Sequence, residues 1–163
     1  MSTVELICTC AEETESIGEI FGRLLPAGAR IDCIGELGAG KTTFARGVLR
    51  GLGHPDPREL CSPTFALHHR YEGGRLVFNH MDLYRVSSSA ALVHQGVLEP
   101  LDEPESLALV EWPETLPDEM APPAVRVHLG HTPDQRRLLH LELGRGVPNG
   151  VFAELEAYAH KRI

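Results

Sequence analysis

Eight consecutive residues, Gly35-Glu36-Leu37-Gly38-Ala39-Gly40-Lys41-Thr42, satisfy the pattern G-x-x-x-x-G-K-[ST] without a mismatch. The chemistry this pattern supports is the holding of phosphate groups. Glycines let the backbone curl so that successive N–H groups converge on phosphate oxygens, and a helix starting there adds positive potential. In this pattern Lys41 reaches the β- and γ-phosphates, while the Thr42 hydroxyl holds a magnesium ion. Leu37, Gly38, Ala39, Gly40, Lys41, Thr42 and Thr43 are therefore the candidate nucleotide contacts. The chain has only two lysines, Lys41 and Lys161, so a lysine at this position is no by-product of composition.

A nucleotide hydrolase also needs an acidic group near the metal and a group that positions the attacking water. In open α/β sheets such groups sit at the C-terminal ends of buried strands. Two acids fit: Glu111, closing Leu109-Val110-Glu111, and Asp82, closing the run from Leu76. Either one can serve the metal or the water. Thr64, in Ser62-Pro63-Thr64, falls in a loop of the kind that senses a γ-phosphate. Arg85 and the pair Arg136-Arg137 are candidates for phosphate or base contacts, against the commoner role of surface ion pairs. Trp112, the one tryptophan, reads as a packing residue or as a wall beside Glu111.

The base is constrained by what is missing. Guanine readers carry [NT]-K-x-D, and neither lysine stands in such a segment; nor does D-x-x-G follow the loop. ATP is expected rather than GTP.

The elements that must position these residues can be read from periodicity and punctuation. Residues 4–8 alternate weakly and predict a strand, and Thr9-Cys10-Ala11-Glu12 fits a capping box that opens a helix through Leu25. The run 30–34 predicts a short buried strand entering the glycine loop, and 43–52 a helix leaving it. Residues 65–71 and 75–81, around Glu72-Gly73-Gly74, predict a hairpin, followed by a short helix over 87–97 whose serine cluster reads as a cap. A strand at 107–110, an antiparallel pair at 124–129 and 138–143, and a terminal helix over 149–162 complete the expectation. The sum is a mixed α/β domain, parallel near the loop and antiparallel elsewhere, with the whole chain 1–163 as one domain.

Composition narrows the partners. Lys+Arg number 15 against 23 Asp+Glu, a formal charge of -8, and no basic run appears. Such a chain is a poor candidate for gripping a nucleic acid backbone by itself. Cys8, Cys10, Cys33 and Cys61 have no zinc or framework spacing, and nine histidines show no ligand motif. With no leader-like start and no apolar run of spanning length, a soluble cytoplasmic protein with no membrane partner is expected.

Four motifs in order carry a resemblance: residues 35–44, Ser62-Pro63-Thr64, His80-Met81-Asp82-Leu83-Tyr84-Arg85 and Val110-Glu111-Trp112-Pro113. Over about residues 4–145 the chain resembles the TsaE (YjeE) family, bacterial ATPases of tRNA threonylcarbamoyladenosine biosynthesis. The resemblance implies a P-loop NTPase-like three-layer domain with a mixed sheet, and ATP with Mg2+ at the loop. It implies that Thr42 and Glu111 hold the metal, that Lys41, Thr64 and Asp82 serve hydrolysis, and, on looser motifs, that Ala11 and Arg136 approach the nucleotide. It further implies a switch acting on TsaB and TsaD, with the tRNA met only through that complex. Two other classes stay in play: a small P-loop metabolite kinase and a non-hydrolysing nucleotide-binding interaction module. Glu36 stands where the family often has Asp, and Phe65 where it often has Tyr.

Overall fold

The computed structural model describes residues 1–161. Seven strands form one mixed sheet: β1 (Ser2–Cys8), β2 (Arg30–Ile34), β3 (His68–Tyr71), β4 (Val77–Asp82), β5 (Ser106–Glu111), β6 (Val125–His131) and β7 (Arg137–Leu143). Their spatial order is β1-β7-β6-β2-β5-β4-β3. The four inner strands β6, β2, β5 and β4 run parallel, while β3, β7 and β1 are added antiparallel. Burial follows this plan. All six residues of β5 are buried, as a strand covered on both faces requires, whereas β6 and β7 alternate buried with half-buried positions.

Four helices, α1 (Ala11–Leu24), α2 (Lys41–Gly51), α3 (Ser89–Gln95) and α4 (Asn149–His160), cover the sheet unevenly. The large core joins α1, α2 and α4 to one face, through Phe21, Phe44, Phe78, Leu109, Val127 and Leu155 among others. A smaller core on the opposite face, Met81, Leu83, Leu92, Val110 and Leu116, lies under α3. The layer on that second face is thus partial: Arg126, His128, His140 and Glu142 on β6 and β7 stay half-exposed there.

The helix that leaves the glycine loop is seated by backbone contact. Gly18 and Gly22 on α1 face Gly47 and Gly51 on α2, each four residues apart and so on one helical face. A methyl group at Gly22 would meet the Val48 carbonyl and lie 2.9 Å from Gly51 Cα; one at Gly47 would meet the Glu15 carbonyl, with Glu15 C at 2.7 Å. Those atoms are backbone and cannot step aside. Ion pairs flank the seam, with Arg50 Nε 2.8 Å from Glu19 Oε2 and Arg50 Nη1 3.1 Å from Glu15 Oε2.

Several expected boundaries move, each for a local reason. The capping box shifts by one residue: Cys10 is the N-cap of α1 and makes no side-chain cap, while Thr9 donates from N (2.6 Å) and Oγ1 (3.0 Å) to Glu13 rather than Glu12. Residues 65–67 are a turn rather than strand, because Leu67 takes φ 64° and donates to Pro63 O at 2.6 Å. Ser88 caps α3 as expected, accepting from Ala91 N at 3.2 Å. The terminal helix extends to His160; its expected end, Arg162, lies outside the described residues. All four cysteines are free.

Replacing Gly22 or Gly47 with Ala is expected to cost about 3 kcal/mol or more of stability, because the added methyl must push two helices apart. Gly130→Ala, where an added methyl group meets nothing within 4 Å, serves as the neutral control. Denaturant unfolding of the three variants checks this, and a Gly22→Ala protein as stable as Gly130→Ala would contradict it.

Candidate functional site

The 35–42 loop joins the C-terminal end of β2 to the first residue of α2. Gly40 is required to be glycine by its left-handed φ of 106°, and the Arg137 guanidinium lies against it, with Cζ 2.6 Å from where a methyl group would stand. The first helical bond of α2 runs from Phe44 N to Gly40 O at 2.9 Å, so the N–H groups of Lys41, Thr42 and Thr43 have no intrahelical partner. All three residues line a cleft of about 460 Å³, together with Leu37, Gly38 and Gly40.

Lys41 is 4% exposed, and its Nζ donates to Gly35 O at 2.7 Å and Glu36 O at 2.8 Å. The same ammonium lies 4.5 Å from the centroid of the Trp112 ring, which also meets Tyr84 at 5.0 Å between centroids. Trp112 is therefore a wall of the cleft as well as a packing residue. It takes φ 57° immediately after β5 and donates from N to Cys33 O at 3.3 Å, which turns the chain away at the end of the strand.

Both candidate acids stand on one rung of the sheet. Asp82 ends β4, Glu111 ends β5, and the two are register partners. Burial leaves Glu111 3% and Asp82 4% exposed. The two acids have different partners. Glu111 Oε1 accepts from Thr42 Oγ1 at 2.9 Å and meets His80 Nε2 at 2.8 Å. Asp82 Oδ2 accepts from Ser62 Oγ and from Thr64 Oγ1 (3.1 Å), and its Oδ1 accepts from Tyr84 N at 3.0 Å. Asp82 thus holds the Ser62-Pro63-Thr64 segment, while Glu111 is coupled to the glycine loop. Beneath them, burial first and then the neighbouring Glu111 and Asp32 push the Cys33 thiol well above its ordinary range.

Lys41, Thr42, Thr43, Thr64, Asp82, Arg85, Glu111 and Trp112 all line the one cleft. Arg85 reaches its rim by stacking over the 84% exposed Phe65, at 4.3 Å from the ring centroid. Ala39 is buried within the loop. Ala11, the first residue of α1, does not line the cleft, and Arg136 is turned away and bonded to Asp134 Oδ2 at 2.7 Å. Its neighbour Arg137 lines the cleft instead. Successive side chains of β7 leave on opposite faces, so only one of an adjacent pair can reach a given site. Ser62, Tyr84 and His80 are further residues that sequence reasoning did not single out. For Ser62 and His80 the signal was there in the spacing: each is two residues from an identified site residue, Thr64 or Asp82.

The donor set fits a hard cation beside an anion. Thr42 Oγ1 and Glu111 Oε1 are oxygen ligands of the kind magnesium takes, and they are already within 2.9 Å of each other. Arg137 Nε is buried with no hydrogen-bond partner, against the loop at Gly40, and so has a donor to offer a phosphate. A larger groove of about 930 Å³ lies at the opposite end of the parallel strands, near Gly28, Ala124 and Arg145, and contains none of these groups.

A parallel-centred α/β sheet with its polar groups gathered beyond the C-terminal strand ends defines a ligand-binding protein of the open-sheet class. The crystal structure of Bacillus subtilis YdiB shares this fold, with a TM-score of 0.70, 25% identity, and 96% of each chain covered. A family model described as "Threonylcarbamoyl adenosine biosynthesis protein TsaE" matches residues 8–139. Proteins named tRNA threonylcarbamoyladenosine biosynthesis protein TsaE are similar along most of the chain. The one from Synechocystis is 35% identical over 118 residues (71% of this chain, 74% of that protein), and the one from Treponema pallidum 35% over 127 (78% and 91%). The Bacillus subtilis relative is 30% identical over 126 residues, covering 77% of each. The chain belongs to the TsaE family.

Asp82→Ala is expected to leave two hydroxyls and the Tyr84 N–H without their acceptor, costing about 1–3 kcal/mol. The loss should concentrate in the loop. Amide hydrogen exchange over 62–67 should accelerate more than exchange in β5, and uniform acceleration throughout the sheet would contradict the assignment.

Proposed function

We propose that this protein binds ATP with magnesium in the 460 Å³ cleft and hydrolyses it as a nucleotide-driven switch on a TsaB–TsaD complex. In that role it supports formation of N6-threonylcarbamoyladenosine at adenosine 37 of tRNA without transferring the group itself. The observation that carries this reading is the bond from Thr42 Oγ1 to Glu111 Oε1, which ties the start of α2 to the acid closing β5. It brings the loop hydroxyl and the strand-end carboxylate to one point, as a magnesium-dependent phosphate site requires.

The residues divide the work. The N–H groups of Lys41, Thr42 and Thr43 at the N-terminus of α2 bind the phosphates, and Arg137 adds charge from β7. Lys41 exchanges the Gly35 and Glu36 carbonyls for β- and γ-phosphate oxygens, moving from one set of acceptors to another without crossing the cleft. Thr42 and Glu111 would hold magnesium, which would supply charge neutralisation to the phosphates. Asp82, the register partner of Glu111, and Thr64, bonded to it, are assigned the orienting of the attacking water. Because Asp82 is committed to Ser62, Thr64 and Tyr84, orienting that water requires the 62–64 segment to shift. That supports slow intrinsic hydrolysis, raised when TsaB and TsaD reposition the segment. The formal charge of -8 supports contact with tRNA only through those partners.

Trp112 supplies a direct readout, since the lysine beside it must move when phosphate binds. Titration with ATP and magnesium is expected to give a saturable change in Trp112 emission, which Lys41→Ala removes. The same variant is expected to abolish multiple-turnover modification by purified TsaB and TsaD. A Lys41→Ala protein that still binds ATP and still supports modification would sink the proposal. Stoichiometric phosphate transfer to a metabolite, without phosphate release to water, would favour a kinase.

A further inference from the structure

His80 lies on β4 two residues before Asp82 and is 0% exposed. Its Nε2 is 2.8 Å from Glu111 Oε1, the same oxygen that accepts from Thr42 Oγ1. An ionised carboxylate only accepts, so Nε2 carries the hydrogen of this bond. The other ring nitrogen, Nδ1, is buried and has no hydrogen-bond partner. A hydrogen there would be an unpaired donor in the core, so the geometry favours Nε2 as the nitrogen that donates to Glu111.

The ring has little freedom to abandon this bond. Phe78 stacks on it, with centroids 6.0 Å apart and planes 18° from parallel. Phe78, His80 and Asp82 share one face of β4, because side chains alternate along a strand. The register pairs His80 with Leu109, so the imidazole reaches two residues along β5 to Glu111, the next side chain on the same face. A histidine serving only as core filling would have no reason to leave a buried nitrogen unpaired while aiming the other at a buried acid. The orphaned Nδ1 is accepted for the sake of the bond at Nε2.

We propose that His80 is a positioning residue: it fixes the rotamer of Glu111, and with Thr42 it presets the oxygen donors that receive a hard divalent cation. This inference rests on the magnesium–nucleotide reading of the same cleft. His80 touches neither metal nor nucleotide. It acts through Glu111, as outer partners commonly orient metal-binding carboxylates.

The test uses the whole protein with Mn2+ as a paramagnetic stand-in for magnesium and a non-hydrolysable ATP analogue. His80→Leu is expected to weaken Mn2+ binding in the ternary complex about 10–100-fold. Affinity for the analogue in excess EDTA is expected to match wild type. His80→Gln, whose Nε2 amide can reach the same place, is expected to restore most of the Mn2+ affinity. Long-range proton–nitrogen correlation on the wild-type protein gives a second readout that needs no variant, and the hydrogen should be found at Nε2. Wild-type Mn2+ affinity in His80→Leu, equal losses in the Leu and Gln variants, or a hydrogen at Nδ1 would each overturn the inference. Wild-type protein that binds the analogue and Mn2+ while His80→Leu does the same refutes the role of His80 alone. Wild-type protein that binds neither refutes the nucleotide reading and this inference with it.

Discussion

One rung of the sheet, Cys33–Glu111–Asp82, sets the geometry on which the site depends. It is fixed by parallel pairing of β2, β5 and β4, and each strand ends at or just past that level. Side chains alternate with a period of two, so a slip of one residue in either pairing would send Glu111 or Asp82 to the opposite face. Apolar burial prevents the slip. Leu107 and Leu109 belong to the large core and Val110 to the smaller one, so a slip would exchange the side chains each face packs. Two carboxylates are held at the edge of the core by the hydrophobic residues behind them.

The second half of the site comes from α2, and its position is set at a different place. The glycine seam against α1 brings two backbones closer than any side chain would allow, which fixes where α2 starts as well as where it runs. Thr42 is then within hydrogen-bond reach of Glu111 without help from a flexible loop. The glycines in the 35–42 loop and those in the helix seam serve different ends. The loop glycines allow backbone conformations, and the seam glycines allow close approach.

Three charged groups of the cleft have internal partners: Lys41 its own loop carbonyls, Glu111 Thr42 and His80, and Asp82 Ser62 and Thr64. Buried charges require such partners, because desolvation without them costs more than folding can offset. A ligand that engages Lys41 must therefore replace two carbonyl acceptors. Freeing Asp82 takes a movement of the 62–64 segment.

The loop sequence 35–42, the acids at the ends of the β4 and β5 runs, and the alternation of strand with helix were legible in the chain, because each depends on residues near one another. Local rules also read the Ser88 cap correctly, while they placed the α1 cap partner one residue early, at Glu12 in place of Glu13. Sheet order, the glycine seam and the choice between Arg136 and Arg137 were decided by tertiary structure. Each depends on which distant segment lies alongside, and no local pattern encodes that. Asp82 and Glu111 looked equivalent as strand-end acids; their division between the 62–64 segment and the start of α2 follows from which hydroxyls the fold brings within 3.1 Å of them. The sequence by itself determined that a glycine-rich loop of the G-x-x-x-x-G-K-[ST] pattern would lead into a helix and that two acids would close apolar runs. Only the packing of α1, α2 and the parallel strands decided which acid meets the loop, because that depends on contacts between residues as far apart as Thr42 and Glu111.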